Sequence, residues 1–356
     1  LWRINLGQNI REGEHYTQFM VYDLDGDGRA EVACKTADGT VDGAGKAIGD
    51  PDRDWRTLQE GSRRHGRILD GPEYLTIFDG ATGKALATVD YIPGRGDVCG
   101  WGNNECIGYR SDRFLACVAY LDGVSPSIVM CRGYYARLTI CAWDWRNNEL
   151  KQRWFLDTNN GYPDYMGQGN HNLSVADIDN DGRDEIVYGS SAYDDDGKPI
   201  YTTGQGHGDA MHLSDLDPDN PGLEVWGVKE TGGHGGVLHD AATGKILFGV
   251  PSPGDTGRGL AADIYPGHRG YEMWSSASKG IYNAKGVKIS ESVPSVNFRI
   301  YWDGDLQDEL LDRSFIDDWD HVNNKPVRLL DASADGGSSI NGTKATPVIS
   351  ADIFGD

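Results

Sequence analysis

Long hydrophobic runs are missing from this chain: no apolar stretch approaches the ~18 residues that a membrane-spanning helix needs. A membrane helix is excluded. Positive charge is scarce as well, with 33 Lys and Arg against 55 Asp and Glu and a net charge of −22. Nucleic-acid affinity rests on neutralising phosphates with Lys and Arg, so no nucleic-acid partner is expected. Cysteine is sparse, and the six present follow no Cys-x-x-Cys zinc pattern. Cys34, Cys117, Cys131 and Cys141 fall in apolar, strand-like runs and read as buried, inert thiols. Cys99 and Cys106 bracket a polar Gly/Trp/Asn loop; a disulfide between them would imply an oxidising, extracellular setting. No cofactor motif supports a quinone-dependent dehydrogenase. An initiator Met and a signal peptide are also lacking.

Glycine and large aromatics are plentiful. The 49 Gly, 17 Tyr and 10 Trp suit an all-β, turn-rich body. The acidity is concentrated in loops. Asp23-Leu24-Asp25-Gly26-Asp27-Gly28-Arg29-Ala30-Glu31 places carboxylates at alternate positions on a glycine-bent segment, where they can converge on a hard divalent cation with the Arg29 carbonyl completing the shell. The opening resembles an EF-hand loop, but the closing acid comes at position nine rather than twelve, and β-like residues follow instead of a helix.

The loop returns. Asp177, Asp179, Asp181, Arg183 and Glu185 repeat it almost unchanged; Asp215, Asp217, Asp219, Leu223 and Glu224 repeat it with one insertion. These three are expected to hold Ca2+. Weaker copies start near Ala119, Asp263 and Tyr301, the last two reading as relics that hold no ion, and a seventh begins at Asp352. A second recurring element is a hairpin, Phe78-Asp79-Gly80-Ala81-Thr82-Gly83-Lys84 and His239-Asp240-Ala241-Ala242-Thr243-Gly244-Lys245, with a shorter form at 283–286. Units of roughly 40 to 50 residues built from short strands and Gly/Asp turns match the four-stranded blades of a β-propeller. The reading is a single propeller domain over 1–356, cut at both ends: six blades present, with Leu1-Trp2-Arg3-Ile4-Asn5-Leu6 as the last strand of a preceding blade, and eight blades in the complete protein.

If each acidic loop follows the first strand of its blade, residues five to eight positions earlier face the central channel. Those positions carry His15 and Tyr16; Asp112 and Arg113; Asn170, His171 and Asn172; His207 and Asp209; Asp255 and Arg258; and Lys344. A merely structural strand carries fewer such groups. The competing reading treats them as unrelated turn and edge residues, since a register slip of one residue flips every side chain.

Several segments in this order resemble a known family. Lys35-Thr36-Ala37-Asp38-Gly39-Thr40, Arg132-Gly133-Tyr134-Tyr135-Ala136, Gly167-Gln168-Gly169-Asn170-His171-Asn172, Gly206-His207-Gly208-Asp209, Gly257-Arg258-Gly259 and Asn341-Gly342-Thr343-Lys344 are similar to landmarks of the rhamnogalacturonan lyases of polysaccharide lyase family 11. The resemblance covers essentially the whole chain. It implies an eight-bladed, calcium-rich, secreted propeller, monomeric, that cleaves the rhamnose to galacturonate linkage of an acidic plant cell-wall polysaccharide by β-elimination. It singles out Asn341, Gly342, Thr343 and Lys344 as substrate contacts. It also implies active-site residues in a first blade and a C-terminal part outside this sequence, so that the fragment alone is expected to be inactive.

β-Elimination from a uronate needs a base, a partner for the charge growing on the carboxylate, and help for the leaving oxygen. Lys344 is the expected base or carboxylate partner, with His207 and His171 as alternatives. Arg113, Arg258, Asn172, Tyr134 and possible help from Arg132 complete the substrate-binding set, Tyr134 and Tyr135 as sugar-stacking rings. A catalytic cation belongs with this set rather than in the acidic loops. The alternative is a non-catalytic, calcium-dependent carbohydrate-binding or adhesion propeller.

Overall fold

A computed structural model describes residues 1–13 and 15–340. Within them the chain is all-β, with six four-stranded antiparallel sheets, one two-stranded sheet and three short 3-10 turns. Each four-stranded sheet is a meander of sequential neighbours. We number them sheet 1 (residues 19–90), sheet 2 (114–157), sheet 3 (174–202), sheet 4 (208–250), sheet 5 (259–290) and sheet 6 (298–331). The two-stranded sheet, Thr40–Val41 against Ala47–Ile48, sits in the insertion between the second and third strands of sheet 1.

Among the described residues every acidic loop joins the first strand of a sheet to the second, as the repeat spacing anticipates. Phe19–Tyr22 precedes the first loop and Glu31–Ala37 follows it; Ser174–Ala176 and Glu185–Tyr188 flank the third. The closing glutamate opens the second strand and turns its carboxylate back onto the loop. Glu31 accepts from Leu24 N at 2.9 Å, Glu185 from Ile178 N at 2.8 Å, Glu224 from Leu216 N at 2.9 Å, Glu272 from Ile264 N at 3.1 Å and Glu309 from Trp302 N at 2.6 Å. In sheet 2 Ser127 stands in that place, opposite Ala119 in the ladder, and donates to Asp144 instead. Gly26 and Asn180, the fourth residues of their loops, both have positive φ (79° and 65°), a conformation that Gly adopts freely and Asn more readily than other residues.

The repeated hairpins close identically. Thr82 donates its amide and hydroxyl to Asp79 Oδ1 at 2.7 and 2.6 Å, and Thr243 does the same to Asp240 at 2.8 and 2.6 Å. Asp and Thr side chains capturing turn amides explain why this tetrapeptide recurs.

The chain divides into two compact units: residues 1–169 with 173–204, and 170–172 with the residues from Gln205 on. In the first, Met20, Ile77, Phe114, Ile128, Trp143 and Trp145 fill the layer between sheets 1 and 2, and Leu121, Val129, Ile140, Ile186, Tyr188 and Tyr193 that between sheets 2 and 3. In the second, Leu216, Trp226, Leu238 and Met273 pack sheets 4 and 5, and Leu260, Trp274, Leu310 and Trp319 pack sheets 5 and 6. Truncating one of these tryptophans to Ala is expected to cost about 3–5 kcal/mol. The second strands of sheets 1 to 5 are buried along their whole length.

Cys99 and Cys106 form a disulfide. Cys34, Cys131 and Cys141 are buried thiols and Cys117 is half-buried. Burial pushes the Cys34 and Cys141 thiols up to about 12, away from reactivity.

Candidate functional site

An antiparallel first strand begins at the end of the sheet where the second strand finishes, opposite the acidic loop. In sheet 4 that geometry pairs Gly208 with Lys229, so His207 and Asp209 at one strand's start meet Glu230 just past the other's end. Glu230 N donates to His207 O at 3.1 Å. His171 arrives on a neighbouring segment, its amide donating to Gly208 O at 3.3 Å and Asn170 bridging to Gly208. His171 Nε2 lies 3.2 Å from Asp209 Oδ1, His207 Nε2 3.5 Å from Glu230 Oε1 and 3.9 Å from Asp209 Oδ1. The two imidazole centroids are 4.9 Å apart. Asn172, the adjacent predicted contact, accepts from Asn170 at 3.1 Å and donates to Met211 O at 2.9 Å.

One donor atom from each of His171, His207, Asp209 and Glu230 lies within 4.8 Å of the others. Two ligands on opposite sides of a cation bound at about 2.4 Å are about 4.8 Å apart, so the four donors fit around one ion. The carboxylates favour a hard cation, and the imidazoles widen the range to transition metals. His171, His207 and Asp209 were expected together near the chemistry; Glu230 was not. Its signal lay in the register, since a residue just after the second strand flanks the residue just before the first.

The acidic loops divide differently from their motif strength. Donor atoms of Asp23, Asp25 and Asp27 gather in the first loop and those of Asp177, Asp179 and Glu185 in the third. Burial, then the neighbouring loop acids, raises Glu31 and pushes Glu185 up to about 7, a crowding that a bound cation would relieve. Glu185 also gathers with Asp194 and Asp195. The loop at Asp215 is occupied by its own protein. Lys285 Nζ sits 2.6 and 2.7 Å from the two Asp217 oxygens, and Arg269 pairs with Asp219 at 2.7 Å. Asp215 itself is exposed. Conversely Asp303, Asp305 and Glu309, in the copy that had lost its first acid, do bring their donors together.

Other predicted contacts scatter. Arg258 immediately precedes sheet 5, half-buried, its amide donating to Thr256 O at 2.6 Å. Arg113 immediately precedes sheet 2 and is 3% exposed. Tyr134 is 1% exposed within the core of sheets 2 and 3, so its ring face packs on protein; its neighbour Tyr135 is half-buried against the same cluster, with Arg110 3.7 Å over its ring. Arg132 is fully buried and holds Glu73 at 2.7 Å, a structural duty. Lys35 and Arg95 reach the same carboxylate at 3.1 and 2.9 Å. Asn341, Gly342, Thr343, Lys344 and the loop starting at Asp352 lie outside the described residues.

The model of rhamnogalacturonan lyase family 11, C-terminal domain, matches residues 1–356. The rhamnogalacturonan endolyase YesW of Bacillus subtilis (strain 168) is 56% identical over 360 residues, covering 100% of this chain and 56% of the relative; the exolyase YesX of the same organism is 53% identical over 375 residues, covering 100% and 60%. The crystal structure of YesW superposes with a TM-score of 0.92 at 55% identity over 98% of this chain and 58% of that one. The Bacillus licheniformis rhamnogalacturonan lyase PL11 gives 0.94 at 56% identity over 100% and 59%. The chain thus spans less than two thirds of the relatives it matches. By sequence and by structure, it belongs to rhamnogalacturonan lyase family 11.

Proposed function

We propose that this chain is the metal-binding β-propeller part of a rhamnogalacturonan lyase, acting on the rhamnose to galacturonate linkage of rhamnogalacturonan I by β-elimination. The observation that carries the reading is the convergence of His171, His207, Asp209 and Glu230 at the sheet end opposite the acidic loops. Those four residues would hold a divalent cation, Ca2+ in the first instance, which supplies a Lewis acid for the galacturonate carboxylate. With both imidazoles directed at a cation, neither is a free base. Proton removal from C5 then falls to Lys344, which takes that proton as a 4,5 double bond forms and the C4–O bond breaks, its electron pair leaving on the rhamnosyl oxygen, which is protonated from water. Arg258 and Asn172 belong to the same unit and orient the anionic sugar. The six meanders are read as blades of an eight-bladed ring in the complete protein. The disulfide Cys99–Cys106 supports an extracellular location.

The test uses the complete protein with rhamnogalacturonan I and added Ca2+. Cleavage is expected to release an unsaturated uronate seen as a rise in ultraviolet absorbance, lost on chelation and restored by Ca2+. No rise with verified substrate would overturn the reading.

A further inference from the structure

Among the described residues, no carboxylate pairs with Arg110 or Arg113. Arg113 is buried, packed among Tyr134, Tyr135, Tyr109 and Tyr16. Its guanidinium carbon lies 4.1 Å from the Tyr109 ring centre, 5.5 Å from that of Tyr16 and 5.7 Å from that of Tyr135; Nε donates to Tyr109 O at 3.2 Å. Arg110 stacks 3.7 Å over Tyr135, and its Nη1 is buried with no hydrogen-bond acceptor among the described residues. Neither arginine makes an ion pair within 4 Å among those residues. The contrast is Arg11, which also stacks on Tyr16 but is paired with Asp112 at 3.2 Å.

Buried charges in proteins are normally paired, because desolvation without a counter-charge is costly. Cation–π contacts, and for Arg113 hydrogen bonds to the Tyr109 carbonyl and the Tyr134 side chain, offset part of that cost but supply no counter-charge. Tyr109 and Tyr135 stack with centroids 6.3 Å apart and a 22° interplanar angle, and Tyr109 is 39% exposed. The cage therefore reaches the surface at the Tyr109 ring, with the arginine donors directly beneath it. We infer that Arg110 and Arg113, held among Tyr16, Tyr109 and Tyr135, form a subsite that binds the carboxylate of an acidic sugar unit, with the tyrosine faces against the pyranose. The ligand class rests on the lyase reading; the lack of a carboxylate partner among the described residues does not.

The experiment measures binding by calorimetry on the complete protein, using rhamnogalacturonan oligosaccharides and their carboxyl-reduced, neutral counterparts. Wild type should prefer the acidic oligosaccharides. Arg110→Gln, at a half-buried site that tolerates the change, should weaken their binding at least tenfold while leaving the neutral ones within twofold, and should raise KM more than it lowers kcat. Arg113→Lys keeps the charge but loses the fork, and should give an intermediate loss. Equal affinity for acidic and neutral oligosaccharides in wild type, or unchanged affinity in Arg110→Gln with a native melting temperature, overturns the subsite. Lost acidic-sugar binding in a protein without turnover would sustain the subsite and overturn the lyase reading; full turnover with unchanged affinity would do the reverse.

Discussion

Glu73 in the first unit and Asp209 in the second are both nearly inaccessible carboxylates, with side chains 2% and 1% exposed, yet they meet opposite surroundings. Glu73 receives Lys35, Arg95 and Arg132 within 3.1 Å, three cations supplied by the fold. Asp209 receives two imidazoles and stands near a second carboxylate, Glu230. Desolvation alone would raise Glu73, but the arginines and lysine hold it well below the usual carboxylate range. The first carboxylate is neutralised from within and locks sheets 1 and 2 together. The second is gathered with two imidazoles and a carboxylate whose donor atoms all lie within 4.8 Å of one another.

The sharpest way to break that comparison is to remove the inner counter-charge. Glu73→Gln strands three buried cations and should cost about 3–5 kcal/mol in urea unfolding at pH 7. Because Glu73 is depressed in the folded state, its contribution is complete above the unfolded value of about 4.3 and fades as pH falls below it. The gap between wild type and variant should therefore shrink in acid; an equal gap at pH 3 and pH 7 would contradict the assignment.

Asp209→Asn should behave oppositely. Stability in chelator should change by less than about 1 kcal/mol, while the stabilisation by saturating cation, about 2.7 kcal/mol at 100 times Kd for one site, should fall by that site's share. Calorimetric stoichiometry should drop by one ion, and turnover of the complete protein should fall on the order of 100-fold. A variant with full stoichiometry and turnover would dissolve the contrast.

His212 gives a smaller, pH-dependent effect within the second unit. Burial holds its imidazole neutral, pushed down to about 4, with Nε2 3.1 Å from Gly259 O and Arg299 adding a repulsive charge. The stability it contributes is present above its unfolded value of about 6.5 and is lost as pH falls toward 4. His212→Gln should flatten the unfolding free energy between pH 7 and 5 by about 2 kcal/mol relative to wild type. An unchanged slope would show that the histidine titrates alike in both states.

The smallest change is expected at Lys285, whose side chain is 48% exposed. Lys285→Met should cost less than about 1 kcal/mol, since exposed pairs are screened. It releases Asp217 from its internal cation, so the count of bound Ca2+ should rise by one. No added ion would mean that the Asp215 loop has lost its ion-binding shape as well as its charge.

The acidic loops were legible because their donors lie within nine or ten residues, where chain geometry alone brings Asp23, Asp25 and Asp27 together. Their occupancy was not legible. Lys285 is 68 residues from Asp217, and no local pattern announces that it fills that loop. Likewise the channel-end rule found His171, His207 and Asp209 but passed over Glu230, which only the pairing of Gly208 with Lys229 brings alongside. Tyr134 and Tyr135 are adjacent in sequence and alike in chemistry, in the loop between the second and third strands of sheet 2; Tyr134 is buried in the core that sheet 3 completes and Tyr135 only half-buried against it, a difference that no local pattern announces.

The sequence by itself determined the repeat, the strand–loop–strand unit, the closing glutamate's return to its loop and the family. These rest on interactions between near neighbours, whose energies depend little on what else the chain does. The tertiary structure alone decided which carboxylates the protein itself neutralises, because that balance is set by charges arriving from distant strands at sites where water no longer screens them.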